Sequence, residues 1–125
     1  MLVNYKKYIE NAISAGFCDG KCFFVGQKSF LFLAVGGQNL ITINNNTLYV
    51  SPVKMKGQID VDNVQKYHFD DIEKITASGN GIVGSIKLVI ELKNGKKLKY
   101  VSRYSDDIKE GKKISASFDE YKNTK

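Results

Sequence analysis

The sequence predicts a mainly β, α+β domain: an antiparallel sheet preceded by one amphipathic helix and followed by another. Three observations predict it. The segments on either side of Asn94-Gly95, residues 86–92 and 98–104, alternate apolar and polar side chains, the period of strands with one buried face. Residues 40–50, LITINNNTLYV, repeat that pattern around a run of asparagines. Both ends of the chain place apolar residues at spacings of three and four, the period of a helix. At 125 residues, 42% hydrophobic and 26% charged, the chain has the size and composition of one globular domain, residues 1–125, able to bury a core without disulfides or metals.

Taken in order, the N-terminal helix falls within residues 1–17. Asn4 can cap it, Tyr5, Ile9, Ala12 and Ile13 share a face, and Gly16 stands at its end. Asp19-Gly20 forms a turn. Two strongly apolar runs follow, Cys22 to Val25 and Phe30 to Val35, broken by Gly26-Gln27-Lys28-Ser29. The second of these belongs to FLFLAV, apolar at every position, which predicts a strand covered on both faces, by the core and by the N-terminal helix.

In the first clear hairpin, facing side chains must share a face of the sheet. A two-residue turn at Asn45-Asn46 satisfies this by setting Ile43 against Leu48 and Ile41 against Val50, and asparagine tolerates the positive φ such a turn needs. Pro52 limits central pairing beyond it. Residues 53–65 read as a loop or ragged short strand, and a strand is expected around Ile72 to Thr76. Gly79, Gly81 and Gly84 imitate a phosphate-binding glycine motif, but a strand follows them where that motif needs a helix, so they predict a turn.

For the second hairpin, a two-residue turn would set Leu92 against Lys97 and mix core with solvent. A three-residue loop of Lys93, Asn94 and Gly95, with Gly95 left-handed, pairs Ile90 with Leu98 and Leu88 with Tyr100. The same register gathers Lys87, Lys97, Lys99 and Arg103 on the outer face. The sheet thus spans residues 22–104. The C-terminal helix, residues 106–123, carries Ile114, Phe118 and Tyr121 on one face behind the capping candidates Ser105, Asp106 and Asp107, and Gly111 weakens its first half.

Charge is unevenly distributed. Residues 93–125 hold ten basic and five acidic residues, a balance of +5, against nine and eight, or +1, in residues 1–92. The basic set is eighteen lysines and one arginine, Arg103, whereas base-edge and phosphate recognition draw on arginine, so sequence-specific nucleic-acid reading is not expected. No stretch approaches the about 20 apolar residues of a membrane-spanning helix, and the N-terminus lacks the apolar block of a signal peptide. Cys18 and Cys22, with a single histidine in the chain, fit neither a redox motif nor a zinc site, and two free thiols in the cytoplasm are expected. His68 has Asp70 and Asp71 beside it but no identifiable nucleophile.

This order of elements resembles the bacterial pleckstrin-homology-like domains, relatives of the PH and GRAM modules. The resemblance rests on LITINNNTLYVSP, on YHFDDIEKI and on the hairpin IKLVIELKNGKK leading into the terminal helix, and covers roughly Cys22 to Lys122. It implies a partly open antiparallel barrel of two near-orthogonal sheets with the last helix plugging one end through Ile114, Phe118 and Tyr121, here with an extra N-terminal helix. The chain departs from the eukaryotic pattern in lacking tryptophan. Around the first strand turn it offers Lys28 and nearby Lys21, where phosphoinositide-binding members concentrate several basic residues.

The expected function is a non-catalytic binding module, without cofactor or small-molecule substrate. Its first expected partner is a protein, a peptide or a second copy, met through an apolar surface of Phe23, Phe24, Phe30 and Phe32. The alternative is peripheral attachment to an anionic membrane surface through Lys87, Lys97, Lys99 and Arg103, joined by Lys112 and Lys113. Non-specific nucleic-acid binding is disfavoured because Tyr100 and Tyr104 fall on the core face, opposite the lysines.

Overall fold

The computed structural model describes residues 5–30, 33–80, 85–102 and 107–124, with side chains throughout except at positions 5, 30, 33–35, 80 and 85. It is mainly β. Helix α1 (Tyr5–Ser14) is followed by strands β1 (Phe23–Phe30), β2 (Leu33–Asn44), β3 (Thr47–Pro52), β4 (Gln65–His68), β5 (Ile72–Asn80), β6 (Ser85–Leu92) and β7 (Lys97–Ser102), and then by helix α2 (Asp107–Asn123). The strands form one open antiparallel sheet in the order β4-β3-β2-β1-β7-β6-β5.

Both expected hairpins form in the expected register. Ile43 faces Leu48 and Ile41 faces Val50, with Asn45 at φ 51° and Asn46 at φ 57°. Ile90 faces Leu98 and Leu88 faces Tyr100 across the loop of residues 93–95, where Gly95 sits at φ 92° and donates its N–H to the Leu92 carbonyl at 2.9 Å. The alternation of the sequence therefore sends Leu88, Ile90, Leu98 and Tyr100 to the inner face. There they pack with Leu48 and Val50 of β3, Ile72 and Ile75 of β5, and Ile114 and Phe118 of α2. Residues from both ends of the sheet share this core, with α2 laid across it and Tyr121 at its margin.

A second, smaller core lies on the other face of the sheet. Val25 and Leu40 meet Tyr8 and Ala12 of α1, together with Cys18 and Ile59. The helix ends in a Schellman motif: Phe17 N–H donates to the Ala12 carbonyl at 2.8 Å and Gly16 N–H to that of Ile13 at 3.0 Å, with Gly16 at φ 83°. The buried stripe differs from the one expected. Tyr8 and Ala12 face inward and Ile13 is exposed, because the Tyr8 hydroxyl donates to the Lys54 carbonyl at 2.6 Å and Asn11 Nδ2 to that of Gly57 at 2.5 Å. Those bonds rotate the helix to suit the 54–57 segment.

Two further elements depart from expectation. Residues 26–29 do not break β1: they pair with β2 and β7, and β1–β2 pairing runs out to Phe30 and Leu33. Gly26 is buried because β7 passes there, not because the chain turns. Residues 53–65 hold two short 3-10 turns and a bridge between Val53 and Ile59, and β4 is a separate strand before the turn at 69–71 that opens β5. Asn4, Gly81, Gly84, Tyr104, Ser105 and Asp106 lie outside the described residues.

One polar atom in the outer core is unmatched. Thr42 is fully buried and donates its hydroxyl to the Phe17 carbonyl, but the equally buried Ser51 hydroxyl, opposite Leu40, has no hydrogen-bond partner among the described residues. An unmade buried hydrogen bond costs free energy that an apolar replacement avoids. Ser51→Ala is therefore expected to raise stability by about 1 kcal/mol, read as a higher urea midpoint at unchanged slope. A lowered midpoint would show that the hydroxyl is satisfied.

Candidate binding site

The outer face of β5, β6 and β7 carries Lys74, Lys87, Lys97 and Lys99, all exposed. Their positions follow from the pairing: Lys97 faces Glu91, which faces Lys74, Lys99 faces Val89, and Lys87 faces Val101. Glu91 takes part of this charge, with Lys97 Nζ 3.8 Å from its Oε1. Half-buried Val89 and Val101 lie between the lysines. Sequence reasoning found three of these lysines but missed Lys74. The bulge at Glu73 shifts the β5 alternation by one residue, and only the pairing with β6 reveals it.

The other basic candidates separate. Lys112 and Lys113 are exposed on α2, which packs against the inner face through Ile114 and Phe118, so they stand on the opposite side of the sheet from Lys87, Lys97 and Lys99. Lys113 is further engaged by Glu110, at 2.9 Å. Arg103 lies outside the described residues.

The apolar candidates do not form a surface among the described residues. Phe24 is fully buried in the main core, and Phe23 is half-buried against the outer cluster beneath α1. Alternation along β1 sends one phenylalanine to each core. The Phe23 N–H donates to Glu110 Oε1 at 3.2 Å, which ties the start of β1 to α2. Phe30 is described by its backbone alone, and Phe32 lies outside the described residues.

Hollows flank the sheet. One, of about 620 Å³, lies between the Asn45-Asn46 turn and the end of α2; Lys21 stands there against the two carboxylates of Asp19 and Glu120, a charge opposite to that of the lysine face. Another, of about 270 Å³, opens on the inner face between Lys28 and Tyr100. Burial pushes the Tyr100 hydroxyl up to about 12, reinforced by Tyr67.

Reactive groups are few. Cys18 and Cys22 are free and buried, and desolvation raises both thiols, Cys22 to about 12 with Asp19, Cys18 and Glu110 adding to the effect. Thiols so held are protonated at neutral pH and poor nucleophiles. His68 Nδ1 accepts the Asp70 N–H at 3.1 Å, closing the 69–71 turn. Among the described residues no three His, Cys, Asp or Glu side chains converge to hold a metal, and no helix is long and apolar enough to cross a membrane. No family model, curated protein or solved structure matches the chain.

Proposed function

We propose that the chain is a non-catalytic binding module of PH-like type, its seven strands bent into a partly open barrel of two sheets, and that it docks peripherally on anionic membrane surfaces through the lysine face of β5–β7. The observation that carries this reading is the juxtaposition of Lys74, Lys87, Lys97 and Lys99 on one uncovered strand face. Exposed lysines side by side suit a layer of anionic headgroups, since each compact ammonium finds its own neighbour without a shaped pocket. At about 1 kcal/mol per lysine near such a surface, with Glu91 opposing, the gain is a few kcal/mol, so the association is weak and salt-sensitive.

A protein or peptide partner is less well supported. Of the phenylalanines expected to meet it, Phe24 and Phe23 pack into the two cores, and the sheet edges offer little: β4 is four residues long, and at β5 the Ser115 hydroxyl donates to the Ile75 carbonyl at 2.8 Å.

The test is cosedimentation with phosphatidylglycerol-rich vesicles. The protein is expected to pellet at about 0.01 M salt and to be released near 1 M, as the screening length falls from about 30 to about 3 Å. K87E/K97E/K99E is expected to remain in the supernatant with a melting temperature lowered by no more than a few degrees, because all three side chains are exposed and only position 97 faces a carboxylate, that of Glu91. Failure of the wild-type protein to pellet at low salt, or equal capture by neutral phosphatidylcholine vesicles, would sink the reading. Preference for single-stranded nucleic acid over vesicles would replace it.

A further inference from the structure

We propose that the hollow on the inner face beside Tyr100 is a binding site for a small organic monoanion, one carboxylate on a short apolar body. Strand pairing assembles it. Lys28 of β1 faces Tyr100 of β7, Val50 of β3 faces Gln65 of β4, and Asn39 of β2 faces Pro52, so five strands turn these side chains toward one space of about 270 Å³.

Tyr100 points to a ligand. Its side chain is 1% exposed, yet its hydroxyl has no hydrogen-bond partner among the described residues. Unlike the enclosed Ser51 hydroxyl, the tip of Tyr100 is open to the hollow that the ring lines, so a bound molecule there can supply the partner. Neighbouring groups define its chemistry. Gln65 Oε1 already accepts the Tyr67 hydroxyl at 2.9 Å, which leaves the Gln65 amide NH₂ as a donor. Among the described residues Lys28 is the one cationic side chain in the lining, and no carboxylate of theirs lines it.

Three donors, Lys28 Nζ, Gln65 Nε2 and the Tyr100 hydroxyl, match the oxygens of one carboxylate. The Tyr100 ring, Val50 and Pro52 supply an apolar wall for the rest of the molecule. One lysine balances one negative charge. A polyphosphate would bring several into a partly desolvated space and leave most unmatched. This site is separate from the lysine face, since Lys28 and Tyr100 lie on the inner side of the sheet and Lys87, Lys97 and Lys99 on the outer.

The experiment is a ¹H–¹⁵N NMR titration of the full chain with benzoate, its neutral isostere benzamide, acetate and inositol trisphosphate. Benzoate is expected to shift the amides of Lys28, Gln65 and Tyr100, and to bind at least about tenfold more tightly than benzamide or acetate, the factor that one charge-assisted hydrogen bond supplies. Tyr100→Phe keeps the ring and breaks no hydrogen bond among the described residues. It is expected to fold normally and to bind benzoate about tenfold more weakly, as is Lys28→Met. K87E/K97E/K99E is expected to bind benzoate as the wild type does, so a failure of this site and a failure of membrane docking are distinguishable. Equal binding of benzoate and benzamide, tighter binding of inositol trisphosphate, shifts confined to other surfaces, or undiminished affinity in a folded Tyr100→Phe would each overturn the proposal.

Discussion

Phe24→Ala is expected to destabilise the fold by about 3–5 kcal/mol, the cost of removing a fully enclosed aromatic ring and leaving a cavity. Phe24 is 0% exposed, and α2 lies directly on it: a Cβ added at Gly111 would stand 3.5 Å from Phe24 Cδ2. The ring therefore fixes the distance between β1 and the helix that covers the core. Truncating it removes support from β1 and α2 together, and the 17-residue helix is unable to collapse into the space without losing its contact with β5 at Gly111 and Ala77. For a domain of this size the total stability is about 5–15 kcal/mol, so a fifth or more is at stake, equivalent to roughly 10–20 °C in melting temperature. Phe23→Ala is expected to cost distinctly less, because Phe23 is half-buried at the rim of the smaller cluster. Urea denaturation of the two variants decides whether β1 presents its phenylalanines to the core or to a partner. A Phe24→Ala protein as stable as the wild type would place that ring on the surface.

The two hairpins were legible because their information is local. Ile43 and Leu48, like Ile90 and Leu98, must share a face, and the turn residues Asn45, Asn46 and Gly95 are those that accept positive φ; together these leave one register for each hairpin. What was illegible depends on distant partners. In α1 the apolar residues allow more than one inward stripe, and the carbonyls of Lys54 and Gly57, remote in sequence, select the one containing Tyr8. Lys112 and Lys113 resemble Lys97 and Lys99 in composition, but the side of the sheet on which α2 packs separates them. The hollow at Lys28 and Tyr100 requires β1 to pair with β7, a crossing that joins the two halves of the sheet and has no local signature. Alternation showed that Tyr100 points inward, but not which strand would lie beside it.

That crossing is the reason Gly26→Ala is expected to be the most damaging small substitution in the sheet. A Cβ at position 26 would lie 2.7 Å from the Val101 carbonyl oxygen and 2.7 Å from Phe24 Cε1, closer than real atoms approach. The Phe24 ring is locked in the core and the oxygen belongs to backbone, so neither can swing aside as a flexible side chain would. The β1–β7 pairs adjoin the clash directly, Gln27 with Val101 and Lys28 with Tyr100, so relief requires β1 to draw away from β7 where the two halves of the sheet meet. Overpacking of this kind costs about 1–3 kcal/mol, and a backbone obstacle puts Gly26→Ala at the upper end. Gly26 is not among the positive-φ glycines, so the penalty is steric and not conformational. Gly37 provides the control. It also lies in a strand and outside the positive-φ set, but with nothing among the described residues within 4 Å of an added Cβ, so Gly37→Ala is expected to change stability by less than about 0.5 kcal/mol. If the two alanine variants unfold at the same urea concentration, β1 does not approach β7 as closely as 2.7 Å implies. A large loss confined to Gly26→Ala, with weakened benzoate shifts at Lys28 and Tyr100, would tie the junction and the hollow beside it to the same close approach.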